Sequence, residues 1–118
     1  DTLSCVVTLE DLQIARAEAT KVYVHKCIQE YIVDLVTETR AGSSVVMGVS
    51  PRGSLALLKC AKAYAALSGR EYVVPDDVKA VVHDVMIHRL PLTSESKMRK
   101  VNVKNLISSL LTKVKVPV

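Results

Sequence analysis

Apolar residues recur along most of this chain at intervals of three and four, the period of a helix face. The clearest run lies between about Lys26 and Arg40. There Ile28, Tyr31, Ile32, Leu35 and Val36 share one stripe, while Glu30, Asp34, Thr37 and Glu38 fall off it and face water. Upstream, Thr8 and Asp11 stand at the spacing of a capping box, and Leu9, Leu12, Ala15, Ala19 and Val22 mark one face of a first helix. A third helix opens at Ser50 and Pro51, because serine is a good N-cap and proline suits the first helical position. Its body, LALLKCAKAYAAL, is apolar almost all round, with Lys59 and Lys62 as a narrow wet strip. That pattern predicts a central helix covered on several sides. Gly69 follows as its C′ residue.

A fourth helix opens at Pro75, with Asp76 and Asp77 in the first turn, where carboxylates complement the helix dipole. Val78, Val81, Val82, Val85 and Met86 form its inner stripe, and Pro91 closes it. The stretch TSESKMRKV, 93–101, reads as a polar, basic linker. Val103, Leu106, Ile107, Leu110, Leu111 and Val114 then build a fifth amphipathic helix. The runs SSVVMGV (43–49) and EYVV (71–74) have the composition to pair as small extended strands. No internal repeat is present. The prediction is an all-α compact bundle of about five helices, with room for one small strand pair.

Composition narrows this picture. With 118 residues, the chain is expected to form a single domain, 1–118. Hydrophobic residues make up 49%, which excludes a disordered chain, and the absence of Phe and Trp makes the core aliphatic. A net charge of +4 does not by itself call for nucleic acid. Cys5, Cys27 and Cys60 are widely spaced and lack C-x-x-C or histidine partners, so they read as reduced thiols. Together with the lack of a membrane-length apolar run or a signal peptide, they point to a cytoplasmic protein. The chain opens on Asp1 rather than methionine, and a fragment of a longer protein is expected.

The stretch GVSPRGS, 48–54, carries the candidate chemistry. A phosphate loop reads G-x-x-x-x-G-K-[ST]. Here Ser54 stands in place of the lysine, Leu55 in place of the hydroxyl, and Pro51 removes an amide donor. The motif therefore fails as a phosphate loop. As a helix start it looks different. Arg52 falls at the second helical position, where a cation opposes the dipole at a cost of about 0.3–1 kcal/mol. Between Glu38 and Glu71 there is no Asp or Glu, while Arg40, Arg52, Lys59, Lys62 and Arg70 lie in that interval. A helix N-terminus with an added arginine suits an anion. Two other readings stand beside this one: Arg52 reaches an acid on another helix, such as Asp34 or Glu38, or it is simply solvated.

Other candidates carry less. His25, His83 and His88 are scattered, and His83 and His88 are poorly placed on one helix face, so no metal site is expected. Arg40 and Arg70 could line a ligand cleft, but capping of helix ends is favoured for both. Asp76 and Asp77 read as dipole-stabilising residues rather than a catalytic pair. No G-x-S-x-G elbow supports a nucleophilic triad.

The ordered set Ser50-Pro51-Arg52, Gly69-Arg70, Tyr72-Val73, Pro75-Asp76-Asp77-Val78-Lys79 and His88-Arg89-Leu90 resembles the C-terminal lid of MoxR-type AAA+ ATPases. YIVDLVTETR, 31–40, is similar to the helix that precedes that motif, and the final helix with Val116 and Pro117 is similar to the family's terminus. The resemblance covers nearly the whole chain. It implies that Arg52 is the sensor-2 arginine, reaching the terminal phosphates of ATP with Ser50 and Pro51 beside it. It further implies a parent ATP hydrolase using ATP and Mg2+, a ring of subunits (often a hexamer) and chaperone-like remodelling of client proteins. Partners with von Willebrand factor A domains are also implied. The phosphate-loop core is absent from this stretch, so the isolated chain is expected to be inactive. Two alternatives remain. One is a basic helical module for nucleic acid, motivated by Lys97, Arg99, Lys100, Lys104, Lys113 and Lys115. The other is a purely structural subunit-contact domain.

Overall fold

The computed structural model describes residues 4, 6–41, 50–90 and 92–117. Among these it shows six helices: α1 (Leu9–Thr20), α2 (Lys26–Ala41), α3 (Pro51–Leu67), α4 (Pro75–Met86), α5 (Ser94–Met98) and α6 (Val103–Lys113). The all-α class holds, and α1, α3 and α4 start where Thr8, Ser50-Pro51 and Pro75 predict. Thr8 Oγ1 accepts from the Asp11 N–H at 3.1 Å, and the Asp11 carboxylate accepts from the Thr8 N–H at 3.1 Å, completing the capping box of α1. Ser50 caps α3, and Asn102 caps α6 by accepting from the Lys104 N–H at 2.8 Å.

The pairing of α3 with α4 is the most extensive in the fold. Leu57, Ala61 and Ala65 recur every fourth residue on α3, fully buried, and the small alanines leave space for Val78, Val82, Val85 and Met86 of α4. The turn between the two helices is a Schellman motif. Gly69 takes φ +80, its N–H bonds Ala66 O, and the Arg70 N–H bonds Ala65 O, both at 3.0 Å. On the other side, α2 lays its predicted stripe of Ile28, Tyr31, Ile32, Leu35 and Val36 into the same core, and α6 adds Ile107 and Leu110.

α3 is covered on several sides as expected, by α1, α2 and α4, although Leu55, Tyr64 and Leu67 are exposed. Three local expectations change. α1 has no fully buried residue, since it packs on α3 alone among the described helices, and Leu9 and Leu12 face outward. The 93–101 stretch is not all linker. It contains the one-turn α5, just past which Arg99 pairs back to Glu95 at 2.6 Å across i,i+4. Finally, EYVV does find an extended partner, but that partner is Tyr23. The Tyr23 N–H bonds Glu71 O at 2.8 Å and the Val73 N–H bonds Tyr23 O at 2.9 Å, forming a parallel bridge that ties the α1–α2 connection to the α3–α4 turn. SSVVMGV lies outside the described residues, as do Cys5 and Pro91. Among the described residues, no helix is long and apolar enough to cross a membrane.

Candidate functional site

The start of α3 is built from three consecutive residues with separate duties. Ser50 is extended at φ −73 and ψ 166, which turns its side chain back over the first turn. Its Oγ accepts from the Gly53 N–H at 3.3 Å, and its carbonyl accepts from the Ser54 N–H at 3.1 Å. Pro51 has no N–H to satisfy and fixes φ for the first helical residue. Arg52 follows on the second position and is exposed, while Gly53 beside it is buried. The helix start is thus seated against the body of the protein with the guanidinium directed outward.

No carboxylate among the described residues pairs with Arg52, so neither Asp34 nor Glu38 is its partner. The positive end of the helix dipole and the guanidinium charge therefore stand together without an acid to offset them. The amide donors are fewer than a bare helix start would offer. Pro51 has none, the Gly53 N–H is taken by Ser50, and the Arg52 N–H remains. An anion at this end would meet one planar fork of donors and one amide, with the Ser50 hydroxyl proton as a further donor. Ser50 and Pro51 mainly set the direction of Arg52.

Arg70 has a different role from either one considered for it. Its backbone N–H closes α3, and the residue borders a groove with Glu18, Lys21 and Tyr23, but its guanidinium is held by an acid. It grips Asp77 Oδ1 at the start of α4. Asp77 is 1% exposed, and its second oxygen accepts from the Val74 N–H at 2.8 Å. This acid therefore caps α4, neutralises Arg70 and locks the α3–α4 turn at once. Asp76, its neighbour, stays exposed in the same first turn. Sequence spacing placed both acids at the helix start. That only one of them is buried is a property of the packed turn. His83 reaches Ser108 at 3.3 Å and joins α4 to α6, and Cys27 and Cys60 are free thiols on the surface.

Tyr31 was legible only as one member of a stripe. Its ring is buried and its hydroxyl has no hydrogen-bond partner among the described residues. Burial, and secondarily the negative charge of Asp76, push its pKa above the ordinary tyrosine value. The hydroxyl is held neutral in the core, a structural feature rather than a reactive one.

Comparison with known proteins bears on these residues. Residues 37–109 match the model of the AAA lid domain family. The whole chain is 41% identical to part of YeaC, an uncharacterised protein of Bacillus subtilis, and 95% of it aligns at 32% identity with Chaperone MoxR1 of Mycobacterium tuberculosis. A segment covering 59% of the chain is 44% identical to Protein MoxR of Paracoccus denitrificans, of which it spans 21%. In structure, 92% of the chain superposes with a TM-score of 0.88 and 30% identity on a candidate ATPase from Cytophaga hutchinsonii. The chain spans 37% of YeaC, 32% of MoxR1 and 36% of the Cytophaga protein, about a third of each.

Proposed function

This chain belongs to the AAA lid domain family, among its MoxR-type members, and from that premise we propose that it closes over ATP held by an ATPase core and presents Arg52 to the phosphates. The observation that carries the proposal is Arg52 itself: exposed, without an acidic partner among the described residues, at a capped helix start whose Gly53 is buried. A guanidinium offers two parallel N–H donors to phosphate oxygens and keeps its charge at any working pH. It would act by neutralising charge on the terminal phosphates, not as nucleophile or base.

The residues present fit that part of the site and no more. Mg2+ takes oxygen ligands, often carboxylate, and the interval between Glu38 and Glu71 contains no carboxylate. The ion's ligands and the phosphate loop would belong to the core. Arg52 would serve as a sensor-2 arginine, and closure of the lid would transmit nucleotide state to a ring of subunits that remodels client proteins. A hexameric ring and partners with von Willebrand factor A domains remain part of this reading through the family alone. The nucleic-acid alternative gains nothing from the fold: of its basic residues, Arg99 is already paired with Glu95. A cytoplasmic setting is consistent with these roles.

The test is ATP turnover by the protein at full length, wild type against Arg52→Ala and Arg52→Lys, with circular dichroism to confirm folding. Loss of a donor that acts on developing charge lowers turnover by about 10²–10³-fold at such sites. We expect a fall of at least about tenfold for Arg52→Ala, with only partial recovery in Arg52→Lys because the bidentate fork is lost. Unchanged turnover at both limiting and saturating ATP would reduce the motif to a helix start and move the subunit-contact reading ahead.

A further inference from the structure

Several cations of this protein have found acids. Lys21 lies 3.7 Å from Glu18, Arg99 lies 2.6 Å from Glu95, and Arg70 holds Asp77. Arg16, Lys59 and Lys62 have not. They meet around one groove of about 320 Å³ between α1 and α3, with Ala19 and Thr20 completing its wall. No carboxylate among the described residues pairs with any of the three. α3 contains no acid at all, and the acids of α1 are committed or turned elsewhere: Asp11 to Thr8, Glu18 to Lys21, and Glu10 on a different face from Arg16. Gathering three like charges at one place adds repulsion and contributes nothing to folding.

Each helix that flanks the groove also carries an exposed leucine one turn before its cation. α1 and α3 run in the same direction here. Arg16 and Thr20 lie level with Lys59 and Lys62, and farther along Lys21 and Val22 lie level with Ala66 and Gly69. Leu12 precedes Arg16 by one turn, and Leu55 precedes Lys59 by one turn, so each shares a helix face with its cation. Both leucines are about half exposed, at 51% and 55%. A cationic groove thus has, on each of its two helices, a half-exposed leucine one turn before the cation.

We propose that this groove docks an acidic, leucine-bearing segment of a partner protein, with carboxylates on Arg16, Lys59 and Lys62 and apolar side chains on Leu12 and Leu55. Charge complementarity selects an acid-rich partner and speeds encounter. The leucines distinguish protein from nucleic acid, which would use the cations alone, and no aromatic side chain lines the groove for base stacking. Arg52 lies one turn before Leu55 on the same helix but does not line the groove, and the docking argument uses Arg16, Lys59 and Lys62 whether or not Arg52 meets a nucleotide.

The test uses the full-length protein and a fluorescein-labelled peptide with glutamate and leucine on one helical face, read by anisotropy at low and high salt. Two control peptides replace glutamate by glutamine, or leucine by alanine. The expected result is salt-sensitive binding that weakens about tenfold for either control peptide. The double variant Lys59→Glu, Lys62→Glu should weaken it to a similar extent, whereas Lys59→Arg, Lys62→Arg should retain it and ATP turnover should stay unchanged in both. Equal binding of the glutamine peptide would overturn the proposal. So would tighter binding of a single-stranded oligonucleotide or of tripolyphosphate that the same charge reversals abolish. Protection of Lys59 and Lys62 from acetylation in the unliganded protein would also overturn it, since the groove would then be filled by the protein's own polypeptide or a second copy.

Discussion

Arg52 and Arg70 stand at opposite ends of α3 and meet opposite electrostatic surroundings. Arg52 is exposed, with the helix dipole behind it and no acid paired with it among the described residues. Removing it should leave stability unchanged or raise it by about 0.3–1 kcal/mol, because an unfavourable cation is lost. Arg70 neutralises a carboxylate that is 1% exposed. Arg70→Ala would strand that charge, at a cost of about 2–3 kcal/mol, below the range for a fully buried pair because the arginine side chain is 31% exposed. Urea denaturation of the two variants should separate them in sign. Tyr31 makes a third residue-level test. Its folded pKa is raised above 10.0, so the stability linked to its proton is fully present below that pH. This stability is lost as pH rises through the higher folded value. Tyr31→Phe should therefore lack that part of the alkaline loss. At pH 8 it should match or exceed wild type by about 1 kcal/mol, since the hydroxyl it removes has no partner. A steeper alkaline decline in Tyr31→Phe than in wild type would contradict this assignment.

At the scale of elements, α3 is defined by its two ends. Ser50→Ala would release the Gly53 N–H and cost about 1 kcal/mol. Gly69→Ala meets no atom within 4 Å, so its cost is purely that of holding φ +80 with a Cβ present, about 1–2 kcal/mol. Thermal melts of both variants check these values, and a Gly69→Ala protein as stable as wild type would show that the turn can rearrange. These ends were readable because capping depends on residues within a few positions of one another. The neighbours of α3 were not. Its apolar circumference suggested cover on several sides, which α1, α2 and α4 supply, but not that Leu55 and Leu67 would remain exposed. The sequence of one helix does not say how many others surround it. α1 shows the same limit: its apolar face was legible, and its shallow packing against a single helix was not.

In the whole molecule, the family pattern divides into two sets of residues with different consequences. Gly69-Arg70 and Pro75-Asp76-Asp77 build the α3–α4 turn, whereas Ser50-Pro51-Arg52 aims a free cation outward. Their variants should fail in different ways at full length. Arg70→Ala should melt earlier with turnover per folded molecule largely retained, and Arg52→Ala should stay folded with turnover reduced. Parallel measurement of melting temperature and ATP turnover decides this. Equal loss of both properties in Arg52→Ala would make it a structural residue. The Tyr23–Tyr72 bridge belongs to this scale too, because it fastens the α1–α2 connection to the α3–α4 turn and so positions α1 beside α3.

The sequence by itself determined the five long helices, the starts of α1, α3 and α4, the α2 and α4 core stripes, the family and the unusual placement of Arg52. All of these rest on short-range spacing or on an ordered motif. Only the tertiary structure decided which acid Arg70 would hold, which extended partner EYVV would take and which apolar residues of α3 would stay exposed. It also decided that Arg16, on one helix, would meet Lys59 and Lys62 on another. Those outcomes join residues far apart in the chain. Helical periodicity orders the side chains around each helix axis, but packing sets how one axis lies against the next.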